Sequence, residues 1–171
     1  YGTPTCPSEL WFVDVLSGEK RQLTSLNILP QLKDKLVAPK KISYPSFDNI
    51  KISAYLYSPS QSRSTKKLPA LVLVHGGPTS QFTDTYRADV QYFVQKGYVV
   101  ILPNIRGSSG YGKEFENANF QDWGHDDLRD VLAGVDLLKS LDYVKNGKIS
   151  IHGTSYGGFM SMSAVCFAPD V

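Results

Sequence analysis

Apolar and polar positions change rhythm along the chain, and each rhythm predicts a different kind of element. Residues 10–23 alternate around a turn at Leu16-Ser17-Gly18-Glu19, which predicts a β-hairpin. A two-stranded hairpin is marginal alone, so its sheet is expected to continue elsewhere. Residues 24–39 lack periodicity and end at Pro39, as a linker does. A second hairpin follows, in which Ile50, Ile52, Ala54 and Leu56 alternate with Lys51, Ser53, Tyr55 and Tyr57 after a turn near Phe47-Asp48-Asn49. Residues 58–67 are polar and predict a surface loop.

From Pro69 onward alternation gives way to continuous apolar runs. Residues 70–74 form such a run, bounded by Pro69 and Gly76-Gly77-Pro78, as in a strand buried on both faces of a parallel sheet. Tyr86, Val90, Phe93 and Val94 recur at helical spacing, with Gly97 placed to stop the helix. Residues 98–102 predict the next buried strand. Leu128, Val131, Leu132, Val135 and Leu138 make the apolar stripe of a second helix, with Asp126 and Asp127 near its positive end. Residues 148–151 predict a third short strand, and residues 156–166, dense in small side chains, a tightly packed helix. Three strand–helix alternations predict an α/β domain with a mainly parallel sheet, its ligands bound at the carboxyl ends of the strands.

Composition narrows the function classes. The chain has 171 residues, 42% hydrophobic and 20% charged, which excludes a disordered or collagen-like protein. A formal net charge of +2 gives no electrostatic case for nucleic acid or a membrane surface as partner. No apolar run approaches the roughly 18 residues of a membrane helix. Cys6 and Cys166 show no disulfide or zinc spacing, so buried or idle thiols and a cytoplasmic setting are expected, with no metal and no cofactor.

The chemistry concentrates at two strand ends. Gly153-Thr154-Ser155-Tyr156-Gly157 is a Gly-x-Ser-x-Gly sequence between a predicted strand and a helix, the setting of a nucleophile elbow. Ser155 is held there on a strained turn, and Gly153 and Gly157 let strand and helix approach. The bland alternative is a tight turn with a serine helix cap. His75-Gly76-Gly77-Pro78 closes another parallel strand, and acyl transfer needs donors preset for an oxyanion. The backbone N–H groups of Gly77 and of Tyr156 would supply them. Arg106-Gly107-Ser108-Ser109-Gly110-Tyr111-Gly112 lacks both the P-loop ending and the dinucleotide spacing, so a structural loop is expected, with Arg106 paired to Asp130 or Asp127. Trp123-Gly124 is expected to pack rather than to touch substrate.

Taken in order, His75-Gly76-Gly77-Pro78, Gly97-Tyr98, Asn104-x-Arg106-Gly107-Ser108-Ser109-Gly110-Tyr111-Gly112, Trp123-Gly124, Asp130 and Gly153-Thr154-Ser155-Tyr156-Gly157-Gly158 resemble the prolyl oligopeptidase family of serine peptidases, closest to its acylaminoacyl-peptidase and dipeptidyl-peptidase branches. The resemblance spans residues 40–171 and implies the N-terminal part of an α/β-hydrolase catalytic domain. Residues 1–39, with Trp11-Phe12-Val13-Asp14 and Ser17-Gly18, resemble the closing strands of the β-propeller that precedes such a domain. It implies Ser155 as nucleophile, the Gly77 and Tyr156 amides as oxyanion donors, and short peptides as substrates. Where some dipeptidyl peptidases use a Tyr hydroxyl for the oxyanion, this chain has His75.

A serine nucleophile also needs a base. In α/β-hydrolases an Asp or Glu and then a His follow the nucleophile in chain order, whereas the residues after Ser155 hold one carboxylate, Asp170, and no histidine. His152 sits at the end of the same strand as the nucleophile, poorly placed to meet it, and His125 lies in a charged helix start. With Tyr rather than Met at residue 1, the chain is expected to be a fragment, inactive by itself. Two alternatives stay open: a carboxylesterase-like hydrolase, against which Pro78 speaks because that class favours a third glycine there, and a non-catalytic α/β-hydrolase-like binding protein.

Overall fold

The computed structural model describes residues 1–26, 32, 34–59 and 66–170. Part of the expected linker and most of the polar loop at 58–67 lie outside the described residues. The first hairpin forms as expected, with β1 (Trp11–Val13) antiparallel to β2 (Lys20–Gln22). Both strands are exposed and neither joins the main sheet. Asp14 shapes its turn by accepting from the backbone N–H of Leu16 and Ser17 and from the Ser17 hydroxyl. These bonds hold its carboxyl below the ordinary aspartate range.

The main sheet comprises β3 (Lys40–Pro45), β4 (Lys51–Tyr57), β5 (Leu68–Val74), β6 (Val99–Asn104) and β7 (Val144–Gly153), in the spatial order β3-β4-β6-β5-β7. β3, β4 and β6 pair antiparallel, and β6, β5 and β7 pair parallel. The sheet is thus mixed, its parallel part carrying both candidate motifs. β7 is longer than the four residues expected, because Lys145, Asn146 and Gly147 are exposed and add no apolar signal to the pattern.

Alternation along β5 separates the two cores. Ala70, Val72 and Val74 face α3 (Asp126–Ser140) and α4 (Tyr156–Phe167), packing with Val131, Val135, Leu138 and Met160. Leu71 and Leu73 face α1 (Ala88–Gln95) through Val90 and Val94. A short α2 (Lys113–Asn117) lies between β6 and α3. The end of β5 is therefore fixed from both sides by buried apolar layers, whereas β7 packs Ile149 and Ile151 only against the layer that holds α3 and α4.

Candidate active site

Ser155 is the second of the two residues between β7 and α4, with φ 58° and ψ −121°. This is a region that a residue with a Cβ enters at a cost of about 1–3 kcal/mol and keeps only where its surroundings enforce it. They do so through the flanking glycines. A Cβ on Gly153 would lie 2.6 Å from the Gly157 Cα, and one on Gly157 would lie 2.2 Å from the Val74 carbonyl oxygen. The elbow can pack against the end of β5 only because both positions lack side chains. Ser155 stands at the N-cap of α4 yet makes no side-chain capping bond, so the helix-cap alternative fails and the hydroxyl is exposed for other work.

The loop after β5 closes on this serine. A Cβ built on Gly76 would lie 3.5 Å from the Ser155 Cβ and 3.9 Å from its Oγ, so the two sequence motifs meet at one point. Among the described residues, neither the Gly77 N–H nor the Tyr156 N–H donates to any backbone or side-chain acceptor. Tyr156 opens α4, where the first N–H groups have no intrahelical partner and the helix dipole favours negative charge. Two unengaged donors beside an exposed hydroxyl are what an oxyanion hole requires. A cavity of about 200 Å³ adjoins them, lined by Gly76, Thr154, Arg87, Asp89 and His152. A larger one of about 530 Å³ lies between β3 and α3, bordered by Tyr44, Phe47 and Leu132, and holds none of the candidate nucleophile or oxyanion residues.

Buried Arg106, Asp127 and Asp130 support these loops. Arg106 donates from its backbone N–H and from Nε and Nη2 to the carboxylate of Asp130, at 2.8–2.9 Å, and Nη2 also reaches Asp48 at 3.1 Å. Burial disfavours its charge, but Asp130 and Asp48 outweigh that and raise its pKa above the ordinary arginine value. The same balance holds for Asp48: burial opposes its charge, yet the Ile50 N–H and Arg106 hold its carboxyl below the usual range. Of the two partners expected for Arg106, Asp130 is correct. Asp127 is not: it accepts from the N–H groups of Gly124 and Leu128 and from the hydroxyl of Tyr156. Burial first, and Asp127 second, drive the Tyr156 phenol well above the ordinary tyrosine pKa. Asn119 and Asp48, both part of this scaffold, carry no local sequence signal for these contacts, since only tertiary contact brings them to their partners.

Among the described residues no histidine is hydrogen-bonded to the Ser155 hydroxyl. His75 is buried, with Nδ1 2.7 Å from the Gly76 carbonyl oxygen and Nε2 2.8 Å from Ser108 Oγ. His125 is exposed and pairs with Asp122 at 3.0 Å, and His152 lies near Phe93, ring centroids 6.4 Å apart. Trp123 packs edge-on against Tyr156 at 5.4 Å, as expected, although more than half of it remains exposed. Both cysteines are free and exposed, so of the two readings, buried or idle, the buried one does not hold. Among the described residues no helix is long and apolar enough to cross a membrane.

Comparison with known proteins places this geometry. Residues 84–171 match the model of the prolyl oligopeptidase family. The chain is 35% identical over 159 residues to YuxL of Bacillus subtilis, an uncharacterised peptidase, covering 92% of this chain and 24% of that protein. It is 34% identical to dipeptidyl-peptidase 5 of Schizosaccharomyces pombe over 71% of this chain and 18% of that one. The chain therefore spans about a quarter or less of the length of these relatives. Among solved structures, Pyrococcus horikoshii acylaminoacyl peptidase superposes with a TM-score of 0.85 at 32% identity, covering 98% of this chain and 26% of that one. A puromycin-hydrolysing peptidase of Mycobacterium tuberculosis reaches 0.89 at 27% identity, covering 98% and 26%. The ordered motifs, the elbow around Ser155 and these matches agree: the chain belongs to the prolyl oligopeptidase family, within its α/β-hydrolase fold.

Proposed function

We propose that Ser155 is the nucleophile of a serine peptidase that cleaves short peptides through an acyl-enzyme, of the dipeptidyl- or acylaminoacyl-peptidase type. Its Oγ attacks the scissile carbonyl and gives its proton to a general base; the carbonyl oxygen becomes an oxyanion and accepts from the N–H groups of Gly77 and Tyr156. Collapse of that intermediate expels the amine, which takes the proton from the base, and water then releases the acyl group by the same steps. None of His75, His125 and His152 is the base. The observation that carries the reading is the strained, uncapped Ser155 lying against Gly76. In this reading residues 40–171 are the N-terminal part of the catalytic domain, and residues 1–39 end a β-propeller-like domain, in keeping with a hairpin that stays outside the main sheet.

The test is made on the full-length protein. A fluorophosphonate should label Ser155, Ser155→Ala should abolish both labelling and hydrolysis, and unblocked dipeptidyl and N-acylated aminoacyl amides should separate the two types. Ester hydrolysis without amide hydrolysis would favour a carboxylesterase instead. The isolated chain 1–171 should label far more slowly, because no base reaches Ser155 in it.

A further inference from the structure

We propose that the cavity at the amino ends of β5, β6 and β7 is a binding site for a small, soluble phosphorylated anion, held by Lys67, Lys145 and Lys148. It lies at the opposite end of the parallel strands from Ser155 and does not depend on the peptidase reading.

A proline builds the site. Leu68 pairs with Val144 and Ala70 with Ile149, so Pro69 alone on β5 faces Lys145, Asn146, Gly147 and Lys148 on β7. Proline has no N–H to give to a ladder, and the pairing breaks there. The surplus residues of β7 form a bulge, and all of them are exposed. The bulge is tied down at both ends. On one side the Leu68 N–H donates to the Tyr143 carbonyl at 2.8 Å, and on the other Ile149 packs against the core. Lys67 enters β5 just before the break, and Tyr98 leads into Val99, which pairs with Ala70. The starts of these strands therefore enclose one cavity of about 430 Å³, lined by Lys66, Lys67, Lys145, Lys148, Tyr98 and Pro69.

Among the described residues this lining holds four ammonium groups and no carboxylate. Lys41, Lys113 and Lys139 each pair with an acidic side chain, whereas among the described residues Lys67, Lys145 and Lys148 have no such partner. Like charges gathered in a concave site focus a positive field, which a bound anion relieves. The donors also select the kind of anion. Lysine offers a point charge with rotatable donors, which suits phosphate oxygens met from several sides; the planar carboxylate is better served by an arginine fork, and no arginine is among these lining residues. The volume is that of a small-molecule site, and the Tyr98 ring and Pro69 supply an apolar wall. A recess of this size admits a soluble anion rather than the surface of a bilayer. Roughly 17 Å of strand lies between Lys148 and Gly153, so a ligand held here does not touch the Ser155 hydroxyl.

Pyrophosphate is the probe, titrated calorimetrically into the full-length protein at fixed ionic strength. Wild type and Ser155→Ala should bind one equivalent with the same affinity, and both should bind more weakly as salt is raised. Lys145→Gln combined with Lys148→Gln should weaken binding by roughly tenfold. Lys113→Gln combined with Lys139→Gln makes the same change of net charge elsewhere and should leave the affinity unchanged. All four lysines are exposed, and urea midpoints matching wild type confirm that both double variants fold. Absence of binding to the wild type, or equal weakening in the two double variants, overturns the proposal. So does attachment to phosphatidic acid vesicles that pyrophosphate does not displace, which would make the lysines a membrane-facing patch. Failure of Ser155 to react with fluorophosphonate would overturn the peptidase reading alone.

Discussion

The hydroxyl of Tyr156 donates to the carboxylate of Asp127, joining the first residue of α4, next to Ser155 in the chain, to the first turn of α3. Asp127 is fully buried and none of its hydrogen-bond partners is a cation; its oxygens face N–H groups, an amide and this phenol. Tyr156→Phe removes one donor and leaves a buried acceptor short of a partner, a loss worth about 1–3 kcal/mol. Urea denaturation should show a lower midpoint at an unchanged slope. If the midpoint holds, a rearranged neighbour has replaced the phenol.

Arg106 should be still less tolerant. Its guanidinium is buried against Asp130, which is itself inaccessible to solvent, and its Cζ lies 4.9 Å from the Phe47 ring centroid. Removing one partner of such a pair strands the other, at a cost of about 3–5 kcal/mol, a large share of a domain's total stability. Arg106→Lys keeps the charge but loses the Nε and Nη2 fork. Both Arg106→Ala and Arg106→Lys should cut soluble yield and the urea midpoint, with Ala worse. A wild-type midpoint in the Lys variant would show that the fork is dispensable.

His75 gives stability a pH dependence of definite sign. Burial pushes its pKa below the ordinary histidine value of 6.5, and its bond to the Gly76 carbonyl only partly offsets this. Between that lowered value and 6.5 the unfolded chain binds more protons than the folded one, so stability is full above pH 6.5 and declines as pH falls through this window. The urea midpoint should drop between pH 7.5 and 5.5, and drop less in His75→Asn. An equal drop in both would assign the effect to other groups.

The sequence shows the elements better than the scaffold between them. Periodicity places the second hairpin, α3 and α4 within a few residues, because each has one apolar face or a continuous apolar run that burial must satisfy. The Gly-x-Ser-x-Gly and His-Gly-Gly-Pro motifs are legible for a different reason: steric demands at Gly157, and at Gly77 with its φ of +125°, leave little choice of residue. What escapes is the polar wiring. Asp48 meets Arg106 across 58 residues and Asn119 meets Tyr156 across 37, and no local pattern encodes such pairings. The partner of Arg106 illustrates this, since Asp127 and Asp130 are both plausible from spacing and only the helix phase of α3 selects Asp130. Antiparallel β3 and β4 extend the sheet beyond what the crossover units alone announce.

The outer surface of α4 predicts how the isolated chain behaves. Phe159, Met162, Val165 and Phe167 are all exposed on this helix, and β7 pairs on one side only among the described residues. An exposed apolar helix beside an unpaired strand edge invites association. Chain 1–171 should self-associate in light scattering and bind a hydrophobic dye, and Met162→Glu with Val165→Lys should reduce both. A monodisperse monomer at high concentration would refute this.

Two glycines beside Ser155 separate fold from function. Gly157→Ala drives a methyl to 2.2 Å from the Val74 carbonyl oxygen, backbone that has no room to yield at the end of a central strand. Overpacking of this kind costs about 1–3 kcal/mol or more, and the variant should lose stability and activity together. Gly76→Ala meets only ordinary contacts, the nearest at 3.5 Å, and its backbone is not in the left-handed region. Its urea midpoint should stay close to wild type, within about 0.5–1 kcal/mol. Yet the new methyl sits 3.9 Å from the Ser155 hydroxyl, in the space a scissile carbonyl must enter. Fluorophosphonate labelling of full-length Gly76→Ala should therefore slow by an order of magnitude or more while stability holds. Labelling at the wild-type rate would mean that the acyl group approaches Ser155 from another side, and that the loop after β5 does not border the reaction.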